Sequence, residues 1–145
     1  MFKRKAVEEL FQQSTGGWSH HSVTIQVQDP TIQQKLAMIG INEETLQIMK
    51  EQKHLFEENA DQVVDQFYKK VSAIPHLMDI INRHSTIDRL KVTQKVYFLS
   101  LTDGKIDEQY INNRRKVGQV HDQIRLDSEW FLVLIRSIIN RSFHY

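Results

Sequence analysis

The fold is decided by the stretch Asn112-Asn113-Arg114-Arg115-Lys116-Val117-Gly118-Gln119-Val120-His121-Asp122-Gln123-Ile124-Arg125-Leu126, which is followed by Ser128-Glu129-Trp130-Phe131. One helical face in and just before this stretch carries Tyr110, Arg114, Val117, His121 and Ile124, with Val120 beside them. This spacing predicts a helix that begins near Asp107. Asp127 is a favourable N-cap for a last helix that begins near Ser128.

Helical patterns also dominate upstream. One face carries Ala60, Val63, Val64, Phe67, Tyr68 and Val71, and another carries Ile87, Leu90, Thr93, Tyr97 and Leu101. Ser85 or Thr86 opens the second of these helices, and Asp103–Gly104 stops it. Asn42 predicts the start of a helix that runs towards His54, and Pro75 opens a short one to Arg83.

The fold class predicted from these patterns is all-α, because strand signals are absent after residue 30. Helices of unequal length with short joints suit a globin-like arrangement better than a regular four-helix bundle, although periodicity alone does not decide between them. Residues 1–29 are predicted as a partly flexible N-terminal arm, and residues 30–145 as the globular domain. In the arm, Val23, Ile25 and Val27 alternate with polar residues, which indicates a short extended piece with no obvious partner.

Composition narrows the class of protein. The 145 residues fit one domain, and a formal charge of +1 gives no general attraction to nucleic acid. The absence of cysteine excludes disulfides, iron–sulfur clusters and thiolate-ligated heme. No apolar run has the length of a signal peptide or a membrane span, so the sequence predicts a cytoplasmic domain without membrane contact.

Three polar residues lie on faces that are otherwise apolar: Tyr68, Thr93 and His121. An unpaired polar group in a core costs about 1–3 kcal/mol, so each of them needs a partner. Taken by periodicity alone, each of the three residues is better interpreted as a hydrogen-bonded core side chain than as a ligand-binding one.

The segment around His121 resembles the proximal segment of the globin-coupled sensors, a family that includes the heme-based aerotaxis transducers. The shared features are a histidine, two polar residues, an aliphatic residue and a tryptophan at the start of the next helix. Upstream, Tyr68 matches the family's distal tyrosine, and Leu90 and Thr93 match its distal leucine and threonine positions. The resemblance covers about residues 25–145.

This resemblance implies a domain that binds heme b, iron protoporphyrin IX, with His121 as the iron ligand. It implies a heme site made of Phe67, Tyr68, Leu90, Thr93, Tyr97, Val117, Val120, His121, Ile124 and Trp130. The ligand is a diatomic gas, O2 first and CO or NO as well. A hydroxyl donor is chemically suited to O2, since bound O2 is more polar than CO.

Two residues qualify the resemblance. Some family members carry a tyrosine directly after the tryptophan of the last helix, where this chain has Phe131, so a ligand-linked hydrogen bond at that position is in doubt. Arg114 lies two helical turns before His121, and contact with a heme propionate is one interpretation of that spacing. A solvated basic face is the other.

The last helix is apolar on more than one side, with Trp130, Leu134 and Ile138 on one and Phe131, Val133, Ile135 and Ile139 elsewhere. Such a helix needs cover on two sides, which predicts a homodimer through it. Family members have one more long helix after this point, so the chain resembles a globin sensor domain without its final helix, cut from a protein with a downstream signalling domain.

Two other functions compete with gas sensing. A heme-free globin-like regulator of the stressosome type would use the same fold only for interaction, and the presence of His121 argues against it. An enzyme such as a heme peroxidase lacks support, because the sequence shows no distal histidine and arginine pair for acid and base catalysis. The sequence therefore predicts a sensor and not an enzyme.

Overall fold

The structure, a computed structural model, describes residues 23–130, 132–134 and 136. The elements in chain order are β1 (Thr24–Gln26), α1 (Pro30–Met38), α2 (Glu43–Glu51), α3 (Lys53–Ser72), α4 (Pro75–His84), α5 (Ile87–Ser100), β2 (Lys105–Asp107) and α6 (Glu108–Gln123). Helical residues resume at 128–130 and at 132–134. The prediction of a mostly helical chain is confirmed.

Side-chain caps stabilise the predicted helix starts. Asn42 and Thr45 make a reciprocal capping box at α2. The Thr86 hydroxyl accepts from the Arg89 amide at α5, and the Asp107 carboxylate accepts from the Tyr110 amide at 2.8 Å at α6. Two helices are shorter than predicted: α2 ends at Glu51, before His54, and α5 ends at Ser100, before Asp103.

The prediction that no strand follows residue 30 was wrong. β1 pairs with β2 in parallel, and Ile25 lies opposite Ile106. Gly104, directly before β2, accepts a hydrogen bond from the Thr24 amide at 3.0 Å and has a φ of +68°. A side chain there would adopt a left-handed conformation, and its Cβ would lie 2.9 Å from Cδ of Lys50, so glycine is required. A three-residue strand whose partner lies about 80 residues away leaves no periodic signal in the sequence.

A small core forms around this pair of strands, which we call the Ile106 cluster. Its buried members are Val27, Leu46 and Ile106. Tyr110 and Ile111, in the first turn of α6, pack against it. The extended piece at residues 23–27 therefore has a partner, and the start of α6 is attached to it.

The larger core, which we call the Tyr68 cluster, has four buried members: Val64, Tyr68, Val71 and Leu77. Partly buried side chains from α3, α4, α5 and the segment after α6 pack against it: Phe67, Ile74, Ile81, Ile87, Leu90, Leu126, Trp130 and Leu134. Burial of large apolar side chains stabilises a fold by about 1.5–3 kcal/mol each, so this cluster contributes substantially to stability.

Among the described helices, α3 and α5 have the most extensive contact with each other. Phe56 and Phe98 stack across it with ring centroids 4.7 Å apart. Lys91 bridges to Asp65 at 3.0 Å, and Lys95 bridges to Asp61 at 2.6 Å. These ion pairs are largely exposed and worth about 0–1 kcal/mol each, so apolar packing holds the pair together. Among the described residues, no helix has both the length and the apolarity to cross a lipid bilayer.

Candidate functional site

His121 is half-buried near the end of α6, and its ring is oriented by its own helix. The Nδ1 atom lies 2.7 Å from the carbonyl oxygen of Val117, one turn earlier. A carbonyl oxygen only accepts, so Nδ1 carries the proton and donates it. In the neutral imidazole this makes Nε2 the basic nitrogen, which carries the lone pair that a metal ion uses.

The helix face around His121 is apolar but incompletely covered. Val117, Val120 and Ile124 lie at i−4, i−1 and i+3 from the histidine, and each is half-buried. The helix α6 contains no buried residue, and its main packing partner among the described elements is β2, at its own beginning. The structure thus presents one imidazole on an apolar helix surface that is partly accessible.

A left-handed turn directly after α6 carries the chain back to the core. The Leu126 amide donates to the His121 carbonyl oxygen at 3.1 Å, and the Arg125 amide donates to that of Asp122 at 3.0 Å. Arg125 has a φ of +58°, as this type of helix end requires. Leu126 then packs against the Tyr68 cluster. His121 and Tyr68 are therefore linked through one short, hydrogen-bonded turn.

The start of the next helix completes this connection. The Asp127 carboxylate accepts from the Trp130 amide at 2.9 Å, which confirms the predicted cap. Trp130 and Leu134 pack against the Tyr68 cluster. Leu132 and Val133, between them in sequence, are 65% and 56% exposed. Phe131, Ile135, Ile138 and Ile139, which belong to the predicted last helix, lie outside the described residues.

Tyr68 is a buried phenol in the middle of α3, with a relative exposure of 6%. The ring of Phe67 meets it edge to face with centroids 5.0 Å apart. Burial raises the pKa of the Tyr68 hydroxyl far above its ordinary value, because the phenolate would lose its hydration. The hydroxyl stays protonated and is a hydrogen-bond donor at any physiological pH.

The predicted site residues of α5 differ in their surroundings. Leu90 packs against the Tyr68 cluster. The Thr93 hydroxyl donates to the carbonyl oxygen of Arg89 at 3.1 Å, so its hydrogen is used within the helix. Tyr97 is half-buried, and its ring lies 4.8 Å from the guanidinium carbon of Arg114.

Of the predicted site residues, the structure brings Phe67, Tyr68, Leu90 and Trp130 together in one cluster. His121, Val117, Val120 and Ile124 share the face of α6 described above. Leu126 joins the two groups, and the sequence analysis did not include it among the site residues. Its place after a helix end, five residues from His121, is the signal that could have found it.

Arg114 has partners that the sequence did not indicate. Its guanidinium carbon lies 3.4 Å from the centroid of the Tyr110 ring, and Nη2 donates to the Ser100 hydroxyl at 2.9 Å. The basic residues of α6 therefore differ in solvent exposure, because Arg114 is half-buried whereas the next residue, Arg115, is exposed. Neither interpretation made from the sequence, a propionate contact or a solvated face, included a contact with two tyrosines.

The described part of the chain also contains an open groove beside the two strands. It is lined by residues 25–28 and 107–109. None of the predicted heme-site residues lines this groove, so it is separate from the region of His121 and Tyr68.

Comparison with known proteins gives consistent results. A family profile described as Protoglobin matches residues 28–142. The heme-based aerotactic transducer HemAT of Halobacterium salinarum is 31% identical over 99 residues, which are 68% of this chain and 20% of that protein. The chain therefore spans about a fifth of the length of this relative.

Among solved structures, the globin domain of the Geobacter sulfurreducens globin-coupled sensor matches with a TM-score of 0.71 and 25% identity. The match covers 77% of this chain and 73% of that chain. The globin-like fold and the resemblance to globin-coupled sensors are both confirmed. By its sequence profile and its helical architecture, this chain belongs to the protoglobin family.

Proposed function

We propose that this domain binds heme b on the His121 face of α6 and senses O2, with Nε2 of His121 as the protein ligand of the iron. The observation that carries the proposal is the 2.7 Å hydrogen bond from Nδ1 of His121 to the carbonyl oxygen of Val117. It selects the tautomer in which Nε2 holds the lone pair, and it fixes the ring orientation. Ligating histidines commonly donate their second nitrogen in this manner.

The residues near His121 fit a planar apolar group. Val117, Val120 and Ile124 place half-buried aliphatic side chains on the same face, and a porphyrin would cover them. When bound, heme would supply an iron atom to which a diatomic gas can bind. The protein would contribute one imidazole, a half-buried apolar helix face and a hydrogen-bond donor.

Tyr68 is the donor we assign to gas discrimination. Its hydroxyl is buried and stays protonated, since burial raises the pKa of the phenol. A protonated hydroxyl stabilises a polar ligand such as O2 more than a weakly polar one such as CO. Thr93 is a weaker candidate, because its hydroxyl already donates to the Arg89 carbonyl.

The output is a proposal by analogy. The relative from Halobacterium salinarum is named as an aerotactic transducer, and we infer that this domain likewise passes its signal to a downstream domain, in aerotaxis. A cytoplasmic location goes with this role. We also infer a homodimer through the last helix, where Leu132 and Val133 are exposed. We assign no enzymatic reaction.

The test is an absorption spectrum of the purified protein after addition of hemin. We expect a Soret band, and in the ferrous protein a change of the spectrum on exposure to O2 that reverses when O2 is removed. A protein that gives no Soret band at saturating hemin would contradict the proposal. That result would instead favour the heme-free regulator of the stressosome type.

A further inference from the structure

Arg114 joins α6 to α5 by its contacts with Ser100 and Tyr97, and it also contacts Tyr110 within α6. Its Nη2 donates to the Ser100 hydroxyl at 2.9 Å, and the guanidinium lies over the rings of Tyr110 at 3.4 Å and Tyr97 at 4.8 Å. Tyr97 and Ser100 belong to the last turn of α5, whereas Arg114 and Tyr110 belong to α6. The arginine is thus the centre of a contact between the two helices.

The contact has a fixed geometry. The Ser100 hydroxyl donates to the carbonyl oxygen of Tyr97 at 2.6 Å, so its lone pairs are directed to the arginine. The Nε atom of Arg114 is buried, and no described residue accepts its hydrogen. The two ring faces therefore compensate the partly buried charge. The carboxylate of Asp103, in the loop after α5, interacts favourably with the same charge.

Arg114 and His121 lie on the same side of α6. They are seven positions apart, which in an α-helix is nearly two turns and about 10 Å. The rotation of the helix at Arg114 therefore sets the direction of the imidazole at His121. This matters because α6 has no buried residue to fix its rotation, and its apolar anchors, Tyr110 and Ile111, lie in its first turn.

We propose that Arg114 is a positioning residue: held between Tyr97 and Tyr110 and bonded to Ser100, it fixes the rotation of α6 against α5 and thereby aims His121 at the heme iron. The inference rests on the proposed heme binding for its spectroscopic consequences only. The anchoring of α6 by Arg114 belongs to the protein alone and is measurable without heme.

The experiment compares Arg114→Ala with Arg115→Ala, which removes the same charge from the exposed neighbouring position. Arg115 makes an exposed ion pair with Asp29 at 3.7 Å, a type of contact worth about 0–1 kcal/mol. Tyr110→Leu removes a ring face, whereas Tyr110→Phe keeps it. Three quantities are measured on each full chain: the iron–histidine stretching band in the ferrous protein, the rate of heme transfer to excess apomyoglobin, and amide hydrogen exchange in residues 115–124 of the heme-free protein.

We expect a shifted stretching band, heme transfer faster by roughly tenfold, and faster exchange in α6 for Arg114→Ala and Tyr110→Leu. Arg115→Ala should match the wild type. Tyr110→Phe, which keeps the ring face and loses only the hydroxyl that interacts with Arg114, should lie much closer to the wild type than Tyr110→Leu. A merely stabilising role would not change the stretching band in a protein that remains folded. Rescue by Tyr110→Phe tests the ring face itself.

Wild-type values for Arg114→Ala in all three measurements would overturn the inference, as would an equal effect of Arg115→Ala. If Arg114→Ala does not fold, the same measurements on Arg114→Lys and Tyr110→Leu test the positioning role of Arg114, since both variants retain most of the side-chain volume. If the wild type binds no heme, the proposed function fails. Hydrogen exchange in the heme-free protein then decides the role of Arg114 by itself.

Discussion

Nδ1 of His121 lies 2.7 Å from the carbonyl oxygen of Val117, four residues earlier in the same helix. The helix therefore chooses the tautomer of its own histidine, because the carbonyl oxygen accepts a hydrogen from Nδ1 and leaves the lone pair on Nε2. Because this hydrogen bond leaves the lone pair on Nε2 of His121, the histidine is the first residue to mutate in a test of heme binding.

Replacing His121 by alanine should abolish stable heme incorporation, since the iron loses its protein ligand while the apolar residues of α6 remain. Imidazole added to the variant should restore the Soret band by occupying the space of the missing ring. The measurement is heme content per chain after gel filtration. His76→Ala is the matched control, because His76 is an exposed histidine on another helix, α4. Undiminished heme content in His121→Ala without imidazole would refute the assignment.

Replacing Tyr68 by phenylalanine should speed O2 dissociation by about one to two orders of magnitude, which corresponds to the loss of one charge-assisted hydrogen bond. CO dissociation should change less, because CO is the less polar ligand. Thr93→Val should have a smaller effect on O2, since the Thr93 hydroxyl donates to the Arg89 carbonyl. Stopped-flow measurements with both gases check this prediction. Equal acceleration for O2 and CO would contradict a donor role for Tyr68.

Replacing Leu132 by glutamate should convert a dimer into a monomer. Leu132 is 65% exposed next to residues that pack in the core, and large apolar side chains gain about 1.5–3 kcal/mol each when covered. Met38→Glu is the control, because Met38 is 91% exposed on α1, far along the chain from the proposed interface. Analytical ultracentrifugation at micromolar concentration gives the masses. A monomeric wild type would rule out the dimer.

Asp107 gives a prediction about pH, since it caps the helix that carries His121. Burial alone would raise the pKa of this carboxyl group, but the Tyr110 amide and the Lys105 ammonium outweigh it and lower the pKa below 3.8. The charged form therefore stabilises the folded state above 3.8, the ordinary value, and this contribution is lost as the pH falls through the lowered folded-state pKa.

Asp107→Asn keeps an oxygen that can cap α6 but removes the charge. It should lower the free energy of unfolding by about 0.5–1 kcal/mol at neutral pH, and the difference from the wild type should disappear in strong acid. Urea unfolding of both proteins across this pH range measures it. A difference that persists unchanged in strong acid would show that the charge of Asp107 is not its cause.

The sequence by itself determined the helices and their starts. The periodic faces of α3, α5 and α6 and the caps at Asn42, Thr86 and Asp107 were predictable, because hydrogen bonds and side-chain spacing within a helix depend on residues three or four apart. The same local information placed His121 on an apolar face. Residues 112–130 also carried the resemblance that the comparison with known proteins confirmed.

Only the tertiary structure decided which distant surfaces meet. Ile25 pairs with Ile106, Trp130 joins the cluster of Tyr68, and Arg114 contacts Tyr97 and Ser100 of α5. Each of these contacts depends on how whole helices pack, and packing depends on the sum of many apolar contacts that no short pattern records.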